Sequence, residues 1–161
     1  YIAGAADYTI CYFDKRIKTT HAHQLALAAI YYSPIQTLYW YDKPAMENKE
    51  PELEFWDKIP TAWDETKVLQ GSPGEFITTA RRSADDWFVG TITNNNARTI
   101  KINFNFLPKG KKYTASFYSD DDTVQTNTKV KVEKKIITST TIIEVKLKPS
   151  GGQAIWLTPK M

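Results

Sequence analysis

The sequence predicts two architectures in series, an α/β segment over residues 1–60 and an all-β antiparallel sandwich over residues 61–161. Three observations carry this division. Apolar residues from Ala22 to Tyr32 run through a stretch of helix formers, whereas those after Val68 alternate with polar ones. Turn-forming clusters recur through the second part: Gly71-Ser72-Pro73-Gly74, Asn94-Asn95-Asn96 and Pro149-Ser150-Gly151-Gly152. Pro60 stands between the two periods. It lacks an N–H and disfavours helix at the residue before it, so it sets the joint.

Residues 1–19 read as a loop, since Gly4, Asp7, Asp14 and the Lys15-Arg16-Ile17-Lys18 cluster break any period. Thr20 is a good N-cap, because its hydroxyl can accept from a free N–H of the first turn. The helix that follows, from His21 to Tyr32, is apolar nearly all round and therefore expects cover on most sides. His21 and His23, two apart, point to different faces and are poor zinc ligands; hydrogen bonding at the helix start is the plainer reading. Ser33-Pro34 ends the helix, and Ile35–Tyr41 has the length and composition of a strand. Pro51 then opens a second helix, with Glu47, Glu50, Glu52 and Glu54 expected on a solvated face that complements the helix dipole. The rhythm is that of an α/β unit. One strand and two helices cannot cover an all-apolar helix, and a complete (β/α)8 barrel takes about 250 residues. Residues 1–60 are thus expected to be the tail of a larger domain.

After Pro60 the period becomes two. Strands are expected over 64–70, 75–82, 87–93 and 98–106; the last shows Ile100, Ile102, Phe104 and Phe106 on one face against Lys101, Asn103 and Asn105 on the other. A strand through Tyr113, Ala115 and Phe117 precedes a turn at 119–122. Val130 with Val132, then Ile143, Val145 and Leu147, then Ile155 with Leu157 mark three more. Eight short strands with regular turns predict a sandwich of jelly-roll type.

Composition excludes several function classes. The net charge of +3 is unevenly spread: residues 1–107 carry 11 Lys+Arg and 13 Asp+Glu, residues 108–161 carry 10 and 5. The basic surplus is Lys at alternate strand positions, which fits a solvated sheet face or a protected edge better than a nucleic-acid patch. No run approaches the roughly 20 apolar residues of a membrane span. The single cysteine, Cys11, forbids an intrachain disulfide. No nucleophile motif, phosphate loop or Cys/His metal cluster is present, and Asp120-Asp121-Asp122 lacks the spacing of a calcium loop.

The segments Thr19-Thr20-His21-Ala22-His23-Gln24-Leu25-Ala26, Ser33-Pro34-Ile35-Gln36, Glu50-Pro51-Glu52 and Ile59-Pro60-Thr61-Ala62-Trp63-Asp64-Glu65-Thr66-Lys67-Val68-Leu69 occur in that order. With Gly74–Arg82, Trp87–Gly90 and the ending Gly151–Lys160 they resemble the carboxy-terminal part of glycoside hydrolase family 97. The resemblance covers nearly the whole chain and is weakest at 120–141. It implies a bacterial α-glucosidase or α-galactosidase of Bacteroides-type organisms, with a periplasmic location, a calcium ion in the full-length enzyme, an α-linked oligosaccharide substrate and a possible homo-oligomer. Residues 1–60 would be the last elements of a (β/α)8 catalytic barrel, packed against the rest of that barrel, and 61–161 the carboxy-terminal sandwich. The catalytic carboxylates and calcium ligands would lie upstream, so no catalytic or metal-binding residue is assigned in this chain. Glu65 is expected to pair with Lys67 or Arg81. Loop 4–19 would follow the seventh barrel strand and Tyr39–Asp42 the eighth, which makes Asp7, Tyr8 and Trp40 the substrate-proximal candidates.

Three readings follow: a non-catalytic terminal fragment of an α-glycosidase with a structural or oligomerising sandwich, a carbohydrate-binding module, and a self-associating module without a ligand. The second draws on Trp40, Trp56, Trp63, Trp87 and Trp156 and needs exposed rings in a row.

Overall fold

The computed structural model describes residues 4–14, 16–39 and 50–160. The first part contains strand β1 (Tyr8–Cys11), helix α1 (His21–Ile30) and strand β2 (Gln36–Tyr39), followed by a 3-10 turn at Pro51–Leu53 that leads into α2 (Glu54–Lys58). The second contains β3 (Glu65–Ser72), β4 (Phe76–Ser83), β5 (Asp86–Thr93), β6 (Arg98–Asn103), β7 (Lys112–Asp120), β8 (Val130–Thr138), β9 (Ile142–Leu147) and β10 (Gly152–Pro159). The loop expected over 4–19 therefore contains a strand. The strand expected over 98–106 stops at Asn103, where Phe104 and Leu107 close a turn, although Phe104 still points into the core.

The eight strands after Pro60 form a six-stranded antiparallel sheet, ordered β3-β4-β5-β10-β7-β8, and a two-stranded sheet, β6-β9. This division departs from the jelly roll, whose two sheets are more evenly matched. The architecture is a mostly antiparallel sandwich. Alternation fixes which residues lie between the layers: Ala80, Trp87, Val89, Phe117, Ile155 and Leu157 meet Ile100, Ile102, Val145 and Leu147 of the small sheet. The basic surplus lies partly on the edge strand β8, where Lys131 and Lys135 both pair with Glu133.

The opposite face of the large sheet carries the first part of the chain. Phe88, Tyr118, Val130 and Ala154 form a second apolar cluster with Ala22, Leu25, Ala28 and Ala29 of α1, Phe55 of α2 and Ile10 of β1. β1 and β2 pair in parallel, with α1 as their connection. This explains the all-round apolar helix. His23 and Ala26 lie directly over the sheet, while on the other side Gln24 accepts from the Tyr8 hydroxyl and the Ala28 carbonyl from Gln36. Much of the cover that the sequence assigns to absent elements is supplied by this chain's own sheet.

Candidate functional site at the helix-sheet seam

Helix α1 touches the sheet backbone to backbone. A Cβ on Gly90 would lie 2.4 Å from the Ala26 carbonyl oxygen, and one on Gly152 would lie 2.5 Å from His23 Cα. Only glycine permits that approach. Ala154, opposite Gly90 in the β5–β10 register, keeps the floor shallow.

Both helix ends are tied to the sheet. At the start, the Thr20 hydroxyl accepts from the His23 N–H at 3.2 Å and donates to Asp120 Oδ2 at 2.9 Å. Asp120 also accepts from the Gly152 N–H at 3.2 Å. His23 Nδ1 lies 3.2 Å from the Gly151 carbonyl, which requires the proton on Nδ1. Burial holds the imidazoles of His21 and His23 below their usual value, and burial pushes the Asp120 carboxyl up. At the helix end, buried Arg81 donates to the carbonyls of Tyr31 at 2.7 Å and Ile30 at 3.1 Å. A guanidinium there satisfies orphan carbonyls and complements the negative end of the helix dipole.

A second polar cluster corrects the solvated-face expectation for the glutamates. Glu50 and Glu52 are buried, at 3% and 0% exposure; Glu47 lies outside the described residues. Glu52 Oε1 accepts from the Tyr12 hydroxyl at 3.0 Å, and burial raises both the Glu52 carboxyl and the Tyr12 phenol. Glu50 accepts from the Asn127 N–H at 3.0 Å. Glu54 accepts from the Tyr118 hydroxyl at 2.9 Å and pairs with Lys134 at 3.6 Å. These carboxylates fasten the 3-10 turn and α2 to the turn after β1, to β7 and β8, and to the loop before β8. Glu50 and Glu52 are sealed under the fold, each accepting a hydrogen bond from a distant segment.

Asp7 is exposed just ahead of β1, and Tyr8 is the first residue of that strand. The Tyr8 hydroxyl donates to Gln24 at 3.2 Å, and its ring meets Tyr31 edge-on at 4.8 Å. Because β1 and β2 are parallel, Asp7 and Tyr8 sit at the opposite end of the pair from Cys11 and Tyr39. Trp40 lies outside the described residues. The other tryptophans offer no exposed row: Trp87 is in the sandwich core, Trp56 and Trp63 pack in the second cluster, and Trp156 stacks on Phe88 while donating to Asp86 at 2.9 Å. Glu65 pairs with Lys67 at 2.9 Å and with Arg82 at 3.4 Å, not with Arg81, which faces α1. Asp120 lies within β7 and not in the turn expected at 119–122. Among the described residues, no group of three or more His, Cys, Asp or Glu could hold a metal ion, and no helix is long and apolar enough to cross a membrane.

The residues that define the seam were mostly unmarked in the sequence. Gly90 had a legible signal, a glycine inside an apolar strand run, which flags close backbone approach. Arg81 and Asp120 had none.

The fold and the seam define an antiparallel sandwich clamped onto a helix, with its buried carboxylates engaged in holding the two together. Residues 62–158 match the model of the glycosyl-hydrolase 97 C-terminal, oligomerisation domain, and the chain belongs to that family. It is 37% identical over 155 residues to a retaining alpha-galactosidase of Bacteroides thetaiotaomicron, covering 95% of this chain and 23% of that protein. It is 31% identical over 105 residues to a probable retaining alpha-galactosidase of Streptomyces bingchenggensis, covering 63% of this chain and 16% of that protein. Among solved structures, a glycoside hydrolase family 97 enzyme from Pseudoalteromonas sp. strain K8 in complex with acarbose matches with a TM-score of 0.78 at 34% identity, covering 89% of this chain and 23% of that one. The chain thus spans about a quarter or less of the length of these relatives.

Proposed function

We propose that this chain is the carboxy-terminal part of a longer α-glycosidase and that its own role is structural. The whole enzyme would hydrolyse α-galactosidic or α-glucosidic bonds in an oligosaccharide; the retaining alpha-galactosidase of Bacteroides thetaiotaomicron supports the first of these. Residues 1–60 would be the last elements of a (β/α)8 barrel, and 61–161 the sandwich that holds them in place and joins subunits. The observation that carries the reading is the seam: α1 rests on Gly90 and Gly152, with its two ends held by Thr20–Asp120 and Arg81. The parallel β1–α1–β2 unit supports the barrel assignment.

On that reading, a substrate would lie at the carboxy-terminal ends of β1 and β2. Trp40, which directly follows β2, is the better candidate for it; Asp7 and Tyr8 begin β1 and belong to the far end. A calcium ion of the whole enzyme would draw its ligands from outside the described residues. A periplasmic location for the parent is proposed from the resemblance in sequence alone.

The test compares this chain with its full-length parent on chromogenic α-galactoside and α-glucoside. The parent is expected to turn over at least one of them, and the chain neither. Turnover by the chain alone would overturn the structural reading.

A further inference from the structure

Helix α1 crosses the large sheet obliquely. It starts over Gly152 on β10, passes Gly90 on β5, and ends at Arg81 on β4. On one side of it lies α2, whose Phe55 meets Phe88 and Tyr118 and whose Glu54 reaches Lys134 on β8. On the other side the same sheet face is bare among the described residues. There a groove of about 580 Å³ runs over β3, β4 and β5, with Val68, Ile77 and Ile92 on its floor and His23 on its wall. Val68 is 65% exposed although it lies on the face that elsewhere forms a sealed apolar cluster.

We infer that this groove is the seat of the helix that immediately precedes β1 in the longer polypeptide; the inference rests on the barrel reading above. Spacing and order support it. Helices pack about 8–10 Å apart, and strands lie about 4.8 Å apart, so a neighbour of α1 belongs two strands over. Two strands from β5 is β3, where the groove lies. In a run of β/α units the helices follow one another around the strands, so α1 has its successor on one flank and its predecessor on the other. The successor, α2, occupies its flank; the groove marks the other. The relatives place about three-quarters of their length outside the part this chain matches, which supplies the segment.

The experiment uses the full-length parent with benzoylphenylalanine in place of Pro73, a groove-lining residue in the exposed turn between β3 and β4, where the probe borders the seat without filling it. Isotope-labelled and unlabelled protein are mixed before irradiation, and cross-linked peptides are mapped by mass spectrometry. The expected product is an intramolecular cross-link to a peptide within the helix ahead of Tyr8. A mixed-isotope cross-link would instead make the groove a contact between two copies and overturn the inference. So would the absence of any cross-link, or one to a different segment. Glycosidase activity of the same sample separates the two claims: an active parent with a cross-link elsewhere sinks only the seat, whereas an inactive parent with the expected cross-link sinks only the assigned activity.

Discussion

Replacing Gly90 by alanine tests whether the seam holds the fold together. The added methyl would sit 2.4 Å from the Ala26 carbonyl oxygen and 2.9 Å from Ile30 Cγ1. Ordinary contact begins near 3.4 Å, so at that point the helix must rise by about 1 Å. A rotamer change cannot relieve it, because the nearer atom is backbone. Nor can the helix slide freely, since Gly152 holds its first turn and Arg81 its last. Raising a packed face by 0.5–1 Å forfeits about a quarter to a half of the dispersion well. Seven residues of α1 are buried and feel that loss. Overpacking costs about 1–3 kcal/mol, and a backbone clash belongs at the upper end. For a chain of this size, about 3 kcal/mol corresponds to a Tm lower by roughly 6–12 °C. Gly71→Ala is the control: its Cβ would meet the Phe76 carbonyl at 3.1 Å on the edge of the sheet, and a shift of a few tenths of an ångström relieves it. Thermal unfolding followed by circular dichroism gives the difference, and hydrogen exchange over residues 21–30 locates it. A Gly90→Ala protein melting within about 1 °C of the parent would refute the argument that the sheet and helix are locked at this contact.

Four further outcomes follow from the same geometry. Arg81→Met should cost about 2 kcal/mol, because two helix-end carbonyls lose a charged donor; urea unfolding measures it. Tyr12→Phe should cost about 1–3 kcal/mol by stranding the buried Glu52 carboxylate, while Tyr12→Phe with Glu52→Leu should recover most of the loss, a double-mutant cycle in urea being the check. His21 and His23 have folded-state values below the ordinary 6.5, so the unfolded chain binds more protons; their stabilising contribution is complete above 6.5 and is lost as pH falls through the lowered values, and replacing both by Gln should flatten that part of a Tm-against-pH curve. Asp120 has the opposite sign: its raised carboxyl favours the folded state below 3.8, and that contribution is lost as pH rises through the folded value, a slope that Asp120→Asn should remove in the same measurement.

What the sequence disclosed and what it concealed divide along one physical line, the range over which the deciding contact acts. The strands were legible because one buried face imposes alternation locally, as in Ile100 and Ile102. Thr20 was legible as a cap because its partner, the His23 N–H, is three residues away. Of the two partners expected for Glu65, Lys67 pairs with it, but the cross-strand partner is Arg82 and not Arg81, since antiparallel register places Glu65 opposite Arg82 and sends Arg81 to the other face. The bulge between Val68 and Gln70 adds a further shift that no local pattern marks. Glu50 and Glu52 looked solvated because acidic residues around Pro51 complement a helix start. Their burial is decided by Tyr12, 40 residues earlier, and by Asn127, 77 residues later. The cover of α1 was concealed in the same way, for it comes from β5 and β10, far along the chain. The same range sets what the buried carboxylates do in this fold. Carboxylates such as Glu52 and Asp120 close long-range junctions, each already accepting from a hydroxyl or an N–H of a distant segment. Each such bond is strengthened by the low-dielectric setting in which it forms, which makes the carboxylate an effective fastener between a sandwich and the helices laid on it.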